Sequence, residues 1–223
     1  MDIVGRAMRA RQHALSEWDS KRLLAAYGIP VARERLAASP DDAVAAAEAL
    51  GMPVAIKACH WTLQHKTELD LVRLGLGDAA SVRAAAGEIA ARLPEGGGLL
   101  VQEMVGGRRE LLLGLTRDPQ FGACVSIGIG GIFAELLQDV AFRIVPFDRL
   151  EAACMLDELR YGAILGGFRG MPEVERGPLE DALLALCRLA QELPMVREID
   201  INPMIVAGGR SVAVDALVIL ETE

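Results

Sequence analysis

Two adjacent glycines, Gly208 and Gly209, stand between VREIDINPMIVA and RSVAVDALVIL, two runs in which apolar side chains recur at alternate positions. Successive side chains of a strand point to opposite faces, and a Gly-Gly pair suits the left-handed backbone of a two-residue hairpin turn. The chain is therefore expected to close on a β-hairpin in which Ala207 pairs with Arg210. Followed down both strands, that register sets Asn202 opposite Asp215. Ile199 and Ile201 then face a core, while Glu198, Asp200 and Asn202 line the other face. Opposed Cβ atoms lie about 4.5–5.5 Å apart, close enough to share a cation. Mg²⁺ prefers oxygen ligands and usually takes one or two carboxylates together with substrate phosphates. Asp200, Asn202 and Asp215 are thus candidate metal ligands, against the alternative of a hairpin whose outer face is simply polar. A longer loop would change every pairing.

The rest of the chain alternates strand-like and helix-like segments. SEWDSKRLLAAYGIP reads as a helix capped by Ser16 and stopped by Gly28 and Pro30, and SPDDAVAAAEALG as one capped by Ser39 with Pro40 in its first turn. Residues 78–93 and PLEDALLALCRLAQEL are further helices, and 148–167 is expected to be helical. PVARERLAA, PVAIKA, LLVQEMV, RELLLGLTRD and the stretch around ACVSIGIGG read as strands. The fold class is α/β or α+β, in two lobes, 1–104 and 105–223, with a hinge near 103–107.

Bulk properties exclude several functions. A net charge of −8 and a pI near 5.0 oppose general binding to nucleic acid or anionic membranes. Aromatic residues make up only 4%, too few for a base-stacking surface. The four cysteines have no metal-ligand or CxxC spacing and read as buried thiols of a reducing compartment. With no signal-like or membrane-length apolar run, a cytoplasmic protein is expected.

Lys57 closes PVAIK, where it either reaches a phosphate across a cleft or snorkels to the surface. The glycines of GIGG, Gly128 to Gly131, let backbone approach a ligand and offer N–H groups to an anion. Glu135 and Asp139 share a face if one strand runs through both, but Asp139 is better read as a turn residue.

Taken in order, LLAAYGIP, ALGMPVAIKA, HKTE, VQEMV, RELLLGLTRDPQFG, GIGGIFAELLQDVAFRIVP, LGGFRGMP and EIDINPMIV with AVDA resemble the ATP-grasp β subunit of NDP-forming acyl-CoA synthetases. The resemblance runs from about Leu15 to Leu220, with EIDINP, RDPQFG and GIGG its distinctive parts. It implies an ATP-grasp fold with Mg-ATP or Mg-ADP in a cleft between two lobes. A separate CoA-binding α subunit carrying a phosphohistidine is implied as partner, as an α2β2 assembly. The implied reaction is acid + CoA + ATP to acyl-CoA + ADP + phosphate, reversibly. By the same resemblance Lys57 contacts phosphate, and Glu103, Met104 and Val105 line the adenine pocket. Glu110, Gly130 and Gly131 join the nucleotide site, and Asn202 and Asp215, with Asp200 beside them, hold Mg²⁺. His65 takes the place of a histidine that relays phosphoryl, an adequate nucleophile at neutral pH, with Asp215 to orient it.

One departure stands out. After the histidine the family has two glycines where this chain has Asp70 and Leu71 in HKTELDLV. Glycine permits tight approach to phosphate, whereas an aspartate adds negative charge. This motivates a second reading, a nucleotide-binding subunit without transfer chemistry. A third is an ATP-grasp ligase that joins a carboxylate to an amine and is active alone.

Overall fold

A computed structural model describes residues 2–64, 66, 69–131, 138–167 and 170–221. The chain groups into two compact units, neither continuous in sequence. One comprises Ala14–Asp19 and Ala32–Met104; the other comprises Met1–His13, Ser20–Val31 and Val105–Glu223. The expected lobe 1–104 therefore included two segments, 1–13 and 20–31, that group with the other unit.

The first unit is built on β1 (Glu34–Ala37), β2 (Val54–Cys59), β3 (Val72–Leu76) and β4 (Gly98–Glu103), with α3 (Pro40–Leu50) and α4 (Ala79–Ala90). Its sheet is antiparallel in the order β1-β4-β2-β3. Ser39 caps α3 by accepting from the Asp42 N–H at 3.1 Å. Asp78 and Ser81 form a reciprocal capping box at the start of α4. Val54, Ile56 and Ala58 of β2 pack with Leu99 and Val101 of β4 against Ala43, Ala47, Val82, Ala86 and Ile89 of the two helices. By alternation Ala55, Lys57 and Cys59 lie on the other face, and β2 is buried throughout. The strand runs two residues past Lys57, so the lysine is an interior position rather than a strand terminus.

The second unit holds a six-stranded antiparallel sheet of β5 (Arg109–Asp118), β6 (Gly122–Ile129), β7 (Val140–Ile144), β8 (Val196–Ala207), β9 (Arg210–Ala213) and β10 (Leu217–Leu220). Along its path the order is β10-β8-β5-β6-β7, with β9 also paired to β8. Helices α5 (Arg149–Glu158) and α6 (Arg176–Glu192) cover one face. Leu111, Leu113, Val125, Ile127, Ile199 and Ile201 are buried on the sheet, as are Leu179, Leu183 and Leu186 on α6. The chain also carries α1 (Ile3–Arg9) and α2 (Glu17–Ala26). Among the described residues no helix is long and apolar enough to cross a membrane.

Candidate nucleotide and magnesium site

The terminal hairpin turns at Gly208 and Gly209, with φ of 59° and 90°, and pairs Ala207 with Arg210 through to Met204 with Ala213. The ladder then lapses. Pro203 has no N–H to give, Val214 donates to its carbonyl at 3.1 Å, and pairing resumes at Leu217 with Asp200. RSVAVDALVIL is thus two short strands rather than one, and Asn202 and Asp215 sit in the gap between them instead of forming a ladder pair. Ile199 and Ile201 face the core, while Glu198, Asp200 and Asn202 are exposed on the opposite face.

Asp200 and Asp215 are near enough to act on each other. Desolvation, then the charges of Glu198 and Asp215, push the Asp200 carboxyl above its ordinary value, although part of the side chain reaches solvent. A cation between these oxygens would relieve that repulsion. Among the described residues no group of three or more His, Cys, Asp or Glu side chains is arranged to hold a metal alone. One or two carboxylates and an amide suit Mg²⁺ that takes its remaining ligands from phosphate and water. The donor set therefore fits magnesium presented with a nucleotide.

In the same unit Glu110, Gly130 and Gly131 converge. Gly130 donates to the Glu110 carbonyl at 2.8 Å, and a Cβ there would lie 3.1 Å from that residue's backbone. A Cβ on Gly131 would meet the Glu110 carboxylate at 3.4 Å. Asp139 is buried and accepts from the Arg160 and Tyr161 N–H groups at 2.9 Å each, so it anchors the chain after α5. Glu135 lies outside the described residues.

In the first unit the Glu103 carboxylate is held by Arg33, at 2.8 Å from its N–H and 2.7 Å from Nε. The Glu103 N–H bonds the Arg33 carbonyl. The carboxylate and N–H of Glu103 are thus both engaged by Arg33, while Met104 next to it is exposed and Val105 half-buried. Lys57 neither snorkels nor reaches from a strand end. It is 6% exposed and its Nζ lies 2.7 Å from Glu17 Oε1. Lys66 Nζ bonds the other oxygen of the same carboxylate. Nothing in the sequence spacing links Glu17 to Lys57, which lies 40 positions away.

His65 lies outside the described residues, but the turn after it bears on the missing glycines. Leu71 N–H bonds the Lys66 carbonyl at 2.9 Å, closing the turn. Asp70 adopts φ of 53°, the left-handed conformation that glycine takes freely and aspartate tolerates better than most residues. Its carboxylate is drawn to the Arg73 guanidinium at 2.8 and 3.1 Å. Asp70 thus takes a conformation that glycine could also take, and its added charge is paired with arginine. Leu71 is buried in the core beneath.

Comparison with known proteins extends these observations to the whole chain. The ATP-grasp domain model matches residues 6–220. The β subunit of acetate–CoA ligase [ADP-forming] II from Pyrococcus furiosus is 34% identical over 99% of this chain and 98% of its own. The isoenzyme I β subunit from the same organism is 35% identical over 98% and 97%. Among solved structures, the dinucleotide-forming acetyl-CoA synthetase 1 of Ca. Korarchaeum cryptofilum, in complex with coenzyme A and Ca-AMPCP, superposes with a TM-score of 0.92 at 36% identity, over 99% of both chains. The same enzyme with Mg-AMPPCP, its phosphohistidine segment pointing towards the nucleotide site, gives 0.87 at 35% identity over 99% of both. The chain belongs to the ATP-grasp family, among the β subunits of ADP-forming acyl-CoA ligases.

Proposed function

We propose that this chain is the nucleotide-binding β subunit of an acyl-CoA ligase that interconverts acid, CoA and ATP with acyl-CoA, ADP and phosphate. It would act with a CoA-binding α subunit, in an α2β2 assembly, whose phosphohistidine exchanges phosphoryl with the nucleotide. The observation that carries the reading is the end-to-end match to free-standing β subunits, 98% of one and 97% of another. The oxygen donors gathered at the lapse in the terminal hairpin support it.

In this reading Lys57 binds nucleotide phosphate as a point charge. The main chain of Glu103, Met104 and Val105 receives the adenine. Glu110, Gly130 and Gly131 shape the backbone beside the nucleotide. Asp215 and Asn202, assisted by Asp200, hold Mg²⁺, which offsets the charge that develops in phosphoryl transfer. His65 accepts phosphoryl from the partner's histidine and passes it to ADP, and the arginine-paired Asp70 leaves that relay intact. Four free cysteines accord with a cytoplasmic setting.

Calorimetric titration with ADP and ATP, with and without Mg²⁺, tests the site in the wild type and in Asp215→Ala. Magnesium-dependent binding that the substitution abolishes is expected. Binding indifferent to both magnesium and Asp215 would sink the metal assignment.

A further inference from the structure

We infer that Glu17 is a positioning residue for the nucleotide's phosphates, acting through Lys57. The inference rests on the phosphate-binding role proposed for that lysine. Glu17 opens α2, where Ser16 caps the helix by accepting from the Asp19 N–H at 3.2 Å. This pins the first turn and with it the root of the Glu17 side chain. The Glu17 side chain is 1% exposed, and those of Lys57 and Lys66 are 7% exposed each. One carboxylate oxygen takes Lys57 at 2.7 Å and the other takes Lys66. Each oxygen has its own ammonium, so the carboxylate plane is fixed from both sides.

Two features argue that this cluster serves more than stability. A buried ion pair generally contributes no more than apolar side chains of the same volume would, because desolvation cancels most of the attraction. Three ionisable groups on the Ala55–Lys57–Cys59 face of β2 are thus a poor way to fill a core and a good way to fix a direction. The second feature is donor geometry. An ammonium has three N–H donors, so bonding one of them to a rigid carboxylate sets where the other two point. A lysine on a four-carbon stem otherwise loses much rotamer entropy when it grips a phosphate. Glu17 removes that cost in advance. Lys66, next in sequence to His65, completes the clamp.

The test is the Mg-ADP dissociation constant of the full chain in five forms: wild type, Lys57→Met, Glu17→Gln, Glu17→Asp, and Glu17→Gln combined with Lys57→Met. Glu17→Asp retains the charge but is one methylene too short to bridge both lysines, and it decides the matter if Glu17→Gln does not fold. Both Glu17 variants should bind Mg-ADP about tenfold more weakly than wild type, the scale of one charge-assisted bond. In the Lys57→Met background the same change should alter affinity by less than about twofold. A purely structural Glu17 would weaken binding equally in both backgrounds, and that result overturns the proposal. So does wild-type binding that Lys57→Met abolishes and the foldable Glu17 variants keep. Wild-type binding unchanged by Lys57→Met removes the premise about Lys57. No binding by wild type overturns the functional reading itself.

Discussion

Asp78 shows how one side chain's ionisation is tied to a helix. Its carboxylate accepts from the Ser81 N–H at 2.8 Å, and the Ser81 hydroxyl completes the box. The bond from the Ser81 N–H, the largest cause, holds the carboxyl below its ordinary value of 3.8. A folded-state value below the unfolded one means that the charged cap stabilises the fold above about pH 4 and that this contribution fades as the pH falls through the folded value. Wild type should therefore unfold at a higher urea concentration than Asp78→Ala at pH 7, and the two midpoints should converge towards about pH 2. A gap equally wide at both pH values would assign the cap to the neutral carboxyl instead. Other single residues were less legible. Lys57 could be read either as a phosphate contact or as a surface lysine; its burial against Glu17 was hidden because that partner sits 40 positions away and no periodicity connects them. Asp70 looked like a fault because composition shows a charge and hides a dihedral angle; only the structure shows that it adopts a left-handed conformation open to glycine and turns its carboxylate to Arg73.

At the scale of elements, the terminal hairpin was readable because its turn is. Only glycine is at ease with two successive positive φ values, so the register followed from Gly208 and Gly209. What stayed hidden was the lapse at Asn202–Pro203 and Val214–Ala216, since both sides keep the apolar alternation of a continuous ladder. Strand β3 was missed for the opposite reason. It is a half-exposed edge whose side chains show no clean alternation. The two turn glycines differ in their surroundings, which gives a test. A Cβ on Gly209 would lie 2.9 Å from the Glu173 carbonyl oxygen, whereas one on Gly208 meets nothing within 4 Å. Gly208→Ala carries only the left-handed strain, about 1 kcal/mol. Gly209→Ala adds a clash with backbone and should cost about 2–3 kcal/mol, read as the difference in urea unfolding free energy. Equal losses at the two positions would show that the Glu173 segment yields at no cost.

For the molecule as a whole, residues 14–19 group with 32–104 and residues 1–13 and 20–31 with 105–223. Local sequence pattern does not announce this interleaving, because it carries no information on which distant segments a helix packs with. The ATP-grasp match takes up residues 6–220. In the proposed function, nucleotide binding and thioester chemistry separate between subunits, and the phosphoryl group travels between them. His65 is the one nucleophile proposed on this side of that transfer. Asparagine at 65 keeps a polar side chain of similar reach and cannot take up phosphoryl. His65→Asn should therefore bind Mg-ADP within about twofold of wild type. Mixed with the CoA-binding subunit, it should form ATP from acyl-CoA, ADP and phosphate at least about a thousandfold more slowly. Loss of binding together with rate would make His65 a part of the nucleotide pocket. Full activity in the mixture would mean that the partner's histidine hands its phosphoryl directly to ADP, with Lys57 and the hairpin carboxylates as this chain's whole contribution to the chemistry.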